Sequence, residues 1–228
     1  MEHAFNKYHF SIPIFGQEIW VTDTLISFWI IAGVLIAVSL AVRLALPRFK
    51  AKPRGVQNVI ETAVEMMGGM TEGSLPDKSG LDGWFFGVIA VLLLCNVSGM
   101  FGLRPPTADL SFTAAFAVTS FFLIHFMGIT RAKRHYFKEY VTPNVVFLPI
   151  HLISEIAVPL SLSFRLFGNI LGGFIIIELI YSMVPGFMRA LTPVPFHFYF
   201  DMFASALQAY IFCILSMTFI KNKSVVEH

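Results

Sequence analysis

Charge is missing from long stretches of this chain, and those stretches define its elements. Leu25–Val42 gives 18 uncharged residues, Trp84–Leu103 gives 20 and Leu110–Thr130 gives 21. Each is long enough to cross roughly 30 Å of hydrocarbon as a helix. Barrel strands would be shorter and would alternate, so helices are the expected spanning element. Phe196–Ile220 is apolar except for Asp201 and predicts a further span. A longer element, Asn144–Val184, is interrupted by Glu155, Arg165 and Glu178. As one straight helix it would be about 60 Å long, so it is either one tilted helix, bent at Pro149 and Pro159, or two spans. Gly55–Met70 places Val56, Val59, Ile60, Ala63, Met66 and Met67 at helical spacing. It predicts an amphipathic helix on the inner membrane surface or under the bundle.

The expected fold class is therefore an all-α integral membrane protein, with about five transmembrane helices and a long, tilted C-terminal helical hairpin. It is read as a single membrane domain. An external segment spans 1–22, a first span 23–47, the amphipathic helix 55–70, the second and third spans 84–130, and the long hairpin 141–220.

Basic residues orient it. Arg43, Arg48, Lys50, Lys52 and Arg54 follow the first span; Arg131, Lys133, Arg134 and Lys138 follow the third. The loop after the second span holds Arg104 beside Asp109. The positive-inside rule puts the N-terminus outside, and with five spans Lys221 and Lys223 fall in the cytoplasm. The opening residues lack the basic n-region of a cleaved signal, so the first span is expected to remain.

Composition agrees with lipid as solvent. Only 13% of residues are charged and mean hydropathy is +0.73, against about 25% charged for a soluble domain. A net charge of +2 offers no nucleic-acid surface. Cys95 and Cys213 lie in apolar runs and are read as packing residues. There is no phosphate loop, zinc motif or nucleophile elbow, so no cofactor or catalytic residue is expected and the chain is not an enzyme by itself.

The informative residue is Arg165, with nine uncharged residues before it and twelve after. An arginine at that depth costs about 2.5–3.5 kcal/mol on insertion scales, and it stays protonated. It needs a carboxylate or a water path. Ser161 and Asn169, four residues either side, share its face. Gly168 and Gly172 lie beside it, with Gly173 adjoining, and small residues admit another helix closely. His151 falls near the same face, and Glu155 lies one turn after it toward the inner end. On the last span Asp201, Ser205 and Gln208 share a face, and His197 is one turn before Asp201. Two ligands at His197 and Asp201 do not complete a metal set. In a hairpin near Gly186, Glu178 comes level with Asp201.

Pro159–Asn169 (PLSLSFRLFGN), Leu207–Phe212 (LQAYIF) and Pro106–Thr113 (PTADLSFT) closely resemble the signatures of the F-type ATP synthase a subunit family. The resemblance runs from about Trp84 onward. It implies a stator subunit that passes ions, with protons expected over Na+, past a rotor ring of c subunits. Partners would be that ring, the peripheral-stalk b subunits and the rest of the synthase in the lipid bilayer. Arg165 would match the family's essential arginine; Asn169, Asp201 and Gln208 would line an outer half-channel, His151 and Ser154 an inner one. Phe174 departs from the pattern, standing where many members carry an acidic residue or histidine, and Glu178 is the expected substitute. A bacterial plasma membrane is the expected location. Two rivals make different demands: a self-contained channel or transporter needs its own carboxylate for Arg165, whereas for a scaffold Arg165→Ala costs stability but not turnover.

Overall fold

The computed structural model describes residues 8–14, 17–50, 52–75, 80–133, 136, 146, 148–186, 188 and 191–224. Its helices are α1 (Asp23–Ala45), α2 (Val56–Ser74), α3 (Asp82–Val97), α4 (Leu110–Ala132), α5 (Leu148–Met183) and α6 (Pro193–Ser224). Among the described residues five helices are long and apolar enough to cross a membrane: α1 with its extension to Arg48, α3 with its extension to Phe101, α4, α5 and α6. The chain is an all-α multi-pass membrane protein, as its hydropathy requires. The long element is one continuous helix of 36 residues with Pro159 inside it, about 54 Å at 1.5 Å per residue. Expected starts at Asn144, and the basic residues Arg134 and Lys138, lie outside the described residues.

One element was not foreseen. β1 (Tyr8–Ile14) pairs antiparallel with β2 (Gln17–Thr22), setting Ser11 opposite Trp20 and Ile12 opposite Ile19. Both strands are rich in β-branched and aromatic residues, which favour extended backbone. β2 runs directly into α1.

Packing groups the chain into two compact units. One comprises Met1–Arg48, Ala90–Phe112 and Leu166–Ala209; the other comprises Phe49–Ile89, Thr113–Arg165 and Tyr210–His228.

In the first unit the connection from α3 to α4 is held by named polar contacts. Gly102, at φ 74, ends the helical extension of α3 in the left-handed region. The Thr107 hydroxyl donates to the Asn96 side-chain oxygen. Asp109 caps α4, its Oδ1 accepting the Ser111 N–H at 3.0 Å, and its Oδ2 accepts the Thr24 hydroxyl of α1 at 3.4 Å. A carboxylate there also suits the positive end of the helix dipole. Phe28 meets Phe112 edge-on, with centroids 5.2 Å apart. The PTADL segment is thus the joint that fixes where α4 begins.

In the second unit, buried Thr113 and Ser163 bring their hydroxyls to 3.4 Å, joining α4 to α5. Thr71 of α2 donates to Asp82 Oδ1 at 2.5 Å. α2 turns Met67 and Thr71 inward and leaves Val56, Val59 and Met66 exposed. Its expected apolar face is therefore divided between protein and surroundings, as suits a helix that also touches lipid.

A Cβ at Gly102 would meet no atom within 4 Å, so substitution there acts through the backbone alone. Gly102→Val should lower the thermal midpoint of the detergent-solubilised protein, reflecting about 1–2 kcal/mol for a left-handed β-branched residue. Gly102→Asn, which tolerates that region, should stay near wild type. Equal midpoints for both variants would mean the turn is not under this constraint.

Candidate functional site

The phase of α5 decides which of its polar residues are available. Leu162, Ser163, Leu166, Ile170 and Ile177 are buried. That stripe leaves Ser161, Phe164, Arg165, Gly168 and Asn169 on the exposed side of the same helix, with Gly172 half-buried. No hydrogen bond or ion pair joins Arg165 to another described residue. The glycines separate as well. A Cβ on Gly168 or Gly172 would meet nothing within 4 Å, whereas one on Gly173 would sit 3.0 Å from Phe200 Cβ. Gly168 and Gly172 therefore keep an outer face smooth, while Gly173 admits α6 inside the first unit.

α6 carries a buried stripe of Ser205, Gln208, Ala209, Phe212, Cys213, Ser216, Met217 and Ile220. Ahead of it, Phe198–Ala204 is π-helical, and the Ser205 hydroxyl donates to the Phe200 carbonyl at 2.9 Å. Such wider turns recur at functional sites. The spacing rule that put Asp201 in line with Ser205 and Gln208 holds for an α-helix and does not carry across this segment. Gln208 joins the buried stripe; Asp201 instead opens into a cavity.

That cavity, about 670 Å³, lies within the first unit, and Asp23, Arg104, Glu178, Tyr181, His197 and Asp201 are among its lining residues. His197 Nδ1 stands 2.6 Å from Asp201 Oδ2, and Tyr181 Oη stands 3.1 Å from His197 Nε2. Gly99 allows Asp201 its position, since a Cβ there would come within 3.1 Å of Asp201 Oδ2. Arg104 lies over the Phe174 ring, 5.7 Å from its centroid, and so meets it through its π face. Glu178 shares the cavity with Asp201.

A second cluster lies in the other unit. Glu155 of α5 receives Lys223 Nζ of α6 at 2.5 Å and lies 3.3 Å from His125 Nε2 of α4. Lys223 Nζ is also 5.9 Å from the Tyr136 ring centroid, and Gly128 leaves room for Tyr136 and Lys223, whose atoms a Cβ there would meet at 2.9 and 3.2 Å. His151 is half-buried one turn before Glu155, and Ser154 is exposed.

The structure thus brings together Asp201, His197 and Glu178, and separately gives Glu155 two partners. Asn169 shares the open face of Arg165 on α5. Reading the sequence missed Tyr181, His125 and the role of Lys223. Tyr181 stands one turn after Glu178, and His125 interrupts an otherwise uncharged span, so both left a signal; Lys223 was read only as topology.

Comparison with known proteins fits this arrangement of helices and motifs. The chain is 33% identical to ATP synthase subunit a of Moorella thermoacetica over 208 residues, covering 89% of this chain and 90% of that one. It is 35% identical to ATP synthase subunit a 2 of Syntrophotalea carbinolica over 209 residues, covering 88% and 85%. It is 31% identical to the chloroplastic ATP synthase subunit a of Stigeoclonium helveticum over 234 residues, covering 96% and 91%. The model of the family described as ATP synthase A chain matches residues 25–221. With that match covering most of its length, the chain belongs to the ATP synthase A chain family.

Proposed function

We propose that the chain is the membrane stator of an F-type ATP synthase, carrying protons past a rotor ring of c subunits through two offset half-channels. The observation that carries this reading is Arg165, a permanent cation midway along a membrane-length helix. It faces outward between Ser161, Gly168 and Asn169 with no ion-pair partner among the described residues. A carboxylate supplied by another subunit is the complement such a surface lacks. Passing rotor carboxylates would be held ionised at Arg165, while those facing lipid must be neutral, because a bare charge there is costly. Loading on one side and release on the other then couples ion flow to rotation, at about 2.3 kcal/mol per charge per 100 mV.

Asp201, His197, Glu178, Asn169 and Gln208 form the outer path in this reading, and His151, Ser154 and Glu155 the inner one. Ser161, Gly168 and Gly172 let the rotor approach. Peripheral-stalk b subunits and the ATP-handling subunits complete the machine; this chain takes no part in the chemistry at ATP. The N-terminus lies outside and the C-terminus in the cytoplasm of a bacterial plasma membrane.

ATP-driven proton pumping in membranes carrying Arg165→Ala should be lost while the variant still co-purifies with the complex. Pumping at the wild-type rate would sink the stator reading. Glu178→Gln tests the substitute for the residue missing at Phe174: a lower pumping rate is expected, and an unaltered one removes Glu178 from the path.

A further inference from the structure

We propose that Tyr181, His197 and Asp201 form a proton relay in which Tyr181 and His197 deliver protons from the first-unit cavity to Asp201. This rests on the proton-carrying reading above and goes beyond it by naming Tyr181 as a path residue and His197 as the direct partner of Asp201.

Three observations carry it. First, the atoms stand in series, with Tyr181 Oη 3.1 Å from His197 Nε2 and His197 Nδ1 2.6 Å from Asp201 Oδ2. Both ring nitrogens are engaged, one toward each neighbour, which is what passage through an imidazole requires. Second, all three residues line the same cavity, and the His197 and Asp201 side chains are 19% and 13% exposed. Water can reach the relay while the surroundings keep its hydrogen bonds strong. Third, the backbone is shaped to this contact. The π segment carries Asp201, Gly99 leaves space beside its carboxylate, and Gly173 leaves space for Phe200 next to it.

The proton balance closes. At rest the neutral ring donates Nδ1–H to the Asp201 carboxylate, and Nε2 accepts from the Tyr181 hydroxyl. Tyr181 passes its proton to Nε2 and is refilled from cavity water, leaving an imidazolium. The Nδ1 proton then moves to Asp201 Oδ2, giving a neutral carboxylic acid and a neutral ring protonated at Nε2. Asp201 hands its proton onward, and exchange with cavity water, which takes the Nε2 proton and returns one to Nδ1, restores the starting tautomer. One proton enters at Tyr181 and one leaves from Asp201.

The other charged groups facing the cavity are Asp23 from α1, Arg104 from the loop after α3, and Glu178 from α5. Glu178 comes from the same helix as Tyr181, one turn earlier, and serves as a local proton reservoir in this scheme. Phe174 offers only its ring face to Arg104, so the relay supplies the titratable group that position lacks.

Members of a series fail together, and that separates a relay from packing. Tyr181→Phe, which keeps the ring, and His197→Gln should each slow ATP-driven proton pumping by the complete complex by about a hundredfold. The double variant should be no slower than the slower single one, since acting in one chain makes the losses non-additive. ATP hydrolysis and co-purification report assembly. Wild-type pumping by either single variant, or losses that multiply in the double, would overturn the relay. Arg165→Ala in the same membranes distinguishes the two levels. If it abolishes pumping while Tyr181→Phe does not affect it, only the relay falls; if it too pumps normally, the stator reading falls with it.

Discussion

Hydrocarbon offers no hydrogen-bond partner, so every polar group carried into the membrane must find one within protein or be kept for something that arrives from outside. Most hydroxyls in the spans take the first course locally. Thr119, Thr130, Ser216 and Thr218 donate back to the carbonyls of Ala115, Phe126, Phe212 and Ile214, at 2.7–2.9 Å. These residues are polar in name but nearly neutral toward lipid. Asp201 and Glu155 also find their partners within protein, but recruit them from other turns and helices. Arg165 does neither with any described residue, which is why its exposed face organises the functional reading while the many span hydroxyls do not.

Spans are legible in sequence because hydrophobic length is a direct physical requirement: three were readable as uncharged runs, and Asp201 alone interrupts a fourth. The ambiguity over α5 came from its 36 residues, which exceed one bilayer by length arithmetic alone. Pro159 removes one backbone bond but need not break a membrane helix whose neighbours re-satisfy the freed carbonyl. The N-terminal hairpin was not readable in the same way. Two short strands carry little periodic signal, and β-propensity follows context more than residue type.

The candidate site was legible where chemistry was unusual and illegible where geometry decided. A charge inside an apolar run announces itself, so Arg165, Asp201, Glu155 and Glu178 stood out. The partners of Glu155 did not, because Lys223 and His125 reach it from helices distant in sequence. The glycines show the same limit. Gly168, Gly172 and Gly173 looked like one small-residue surface, yet a Cβ test divides them into an open pair and one that receives Phe200. A stripe of small residues specifies that something can approach, while only the packed neighbours say whether it is this chain or another.

The π segment of α6 shows how one helix meets two demands. From Ser205 to Ile220 the helix must present a continuous buried stripe, which α geometry supplies through spacings of three and four. Toward its N-terminal end the same helix must turn a carboxylate into a polar cavity and place Phe200 against Gly173. A single α phase fixes both faces at once and leaves no freedom to adjust one against the other. Phe198–Ala204 widens the turn and shifts the phase between the two regions, with the Ser205 hydroxyl satisfying the Phe200 carbonyl at the transition. The wider turn sacrifices regular packing over seven residues, and a helix whose only task was to cross the membrane would have no reason to bear that. Its presence beside Asp201, and not in the stripe that follows, ties the irregularity to the carboxylate.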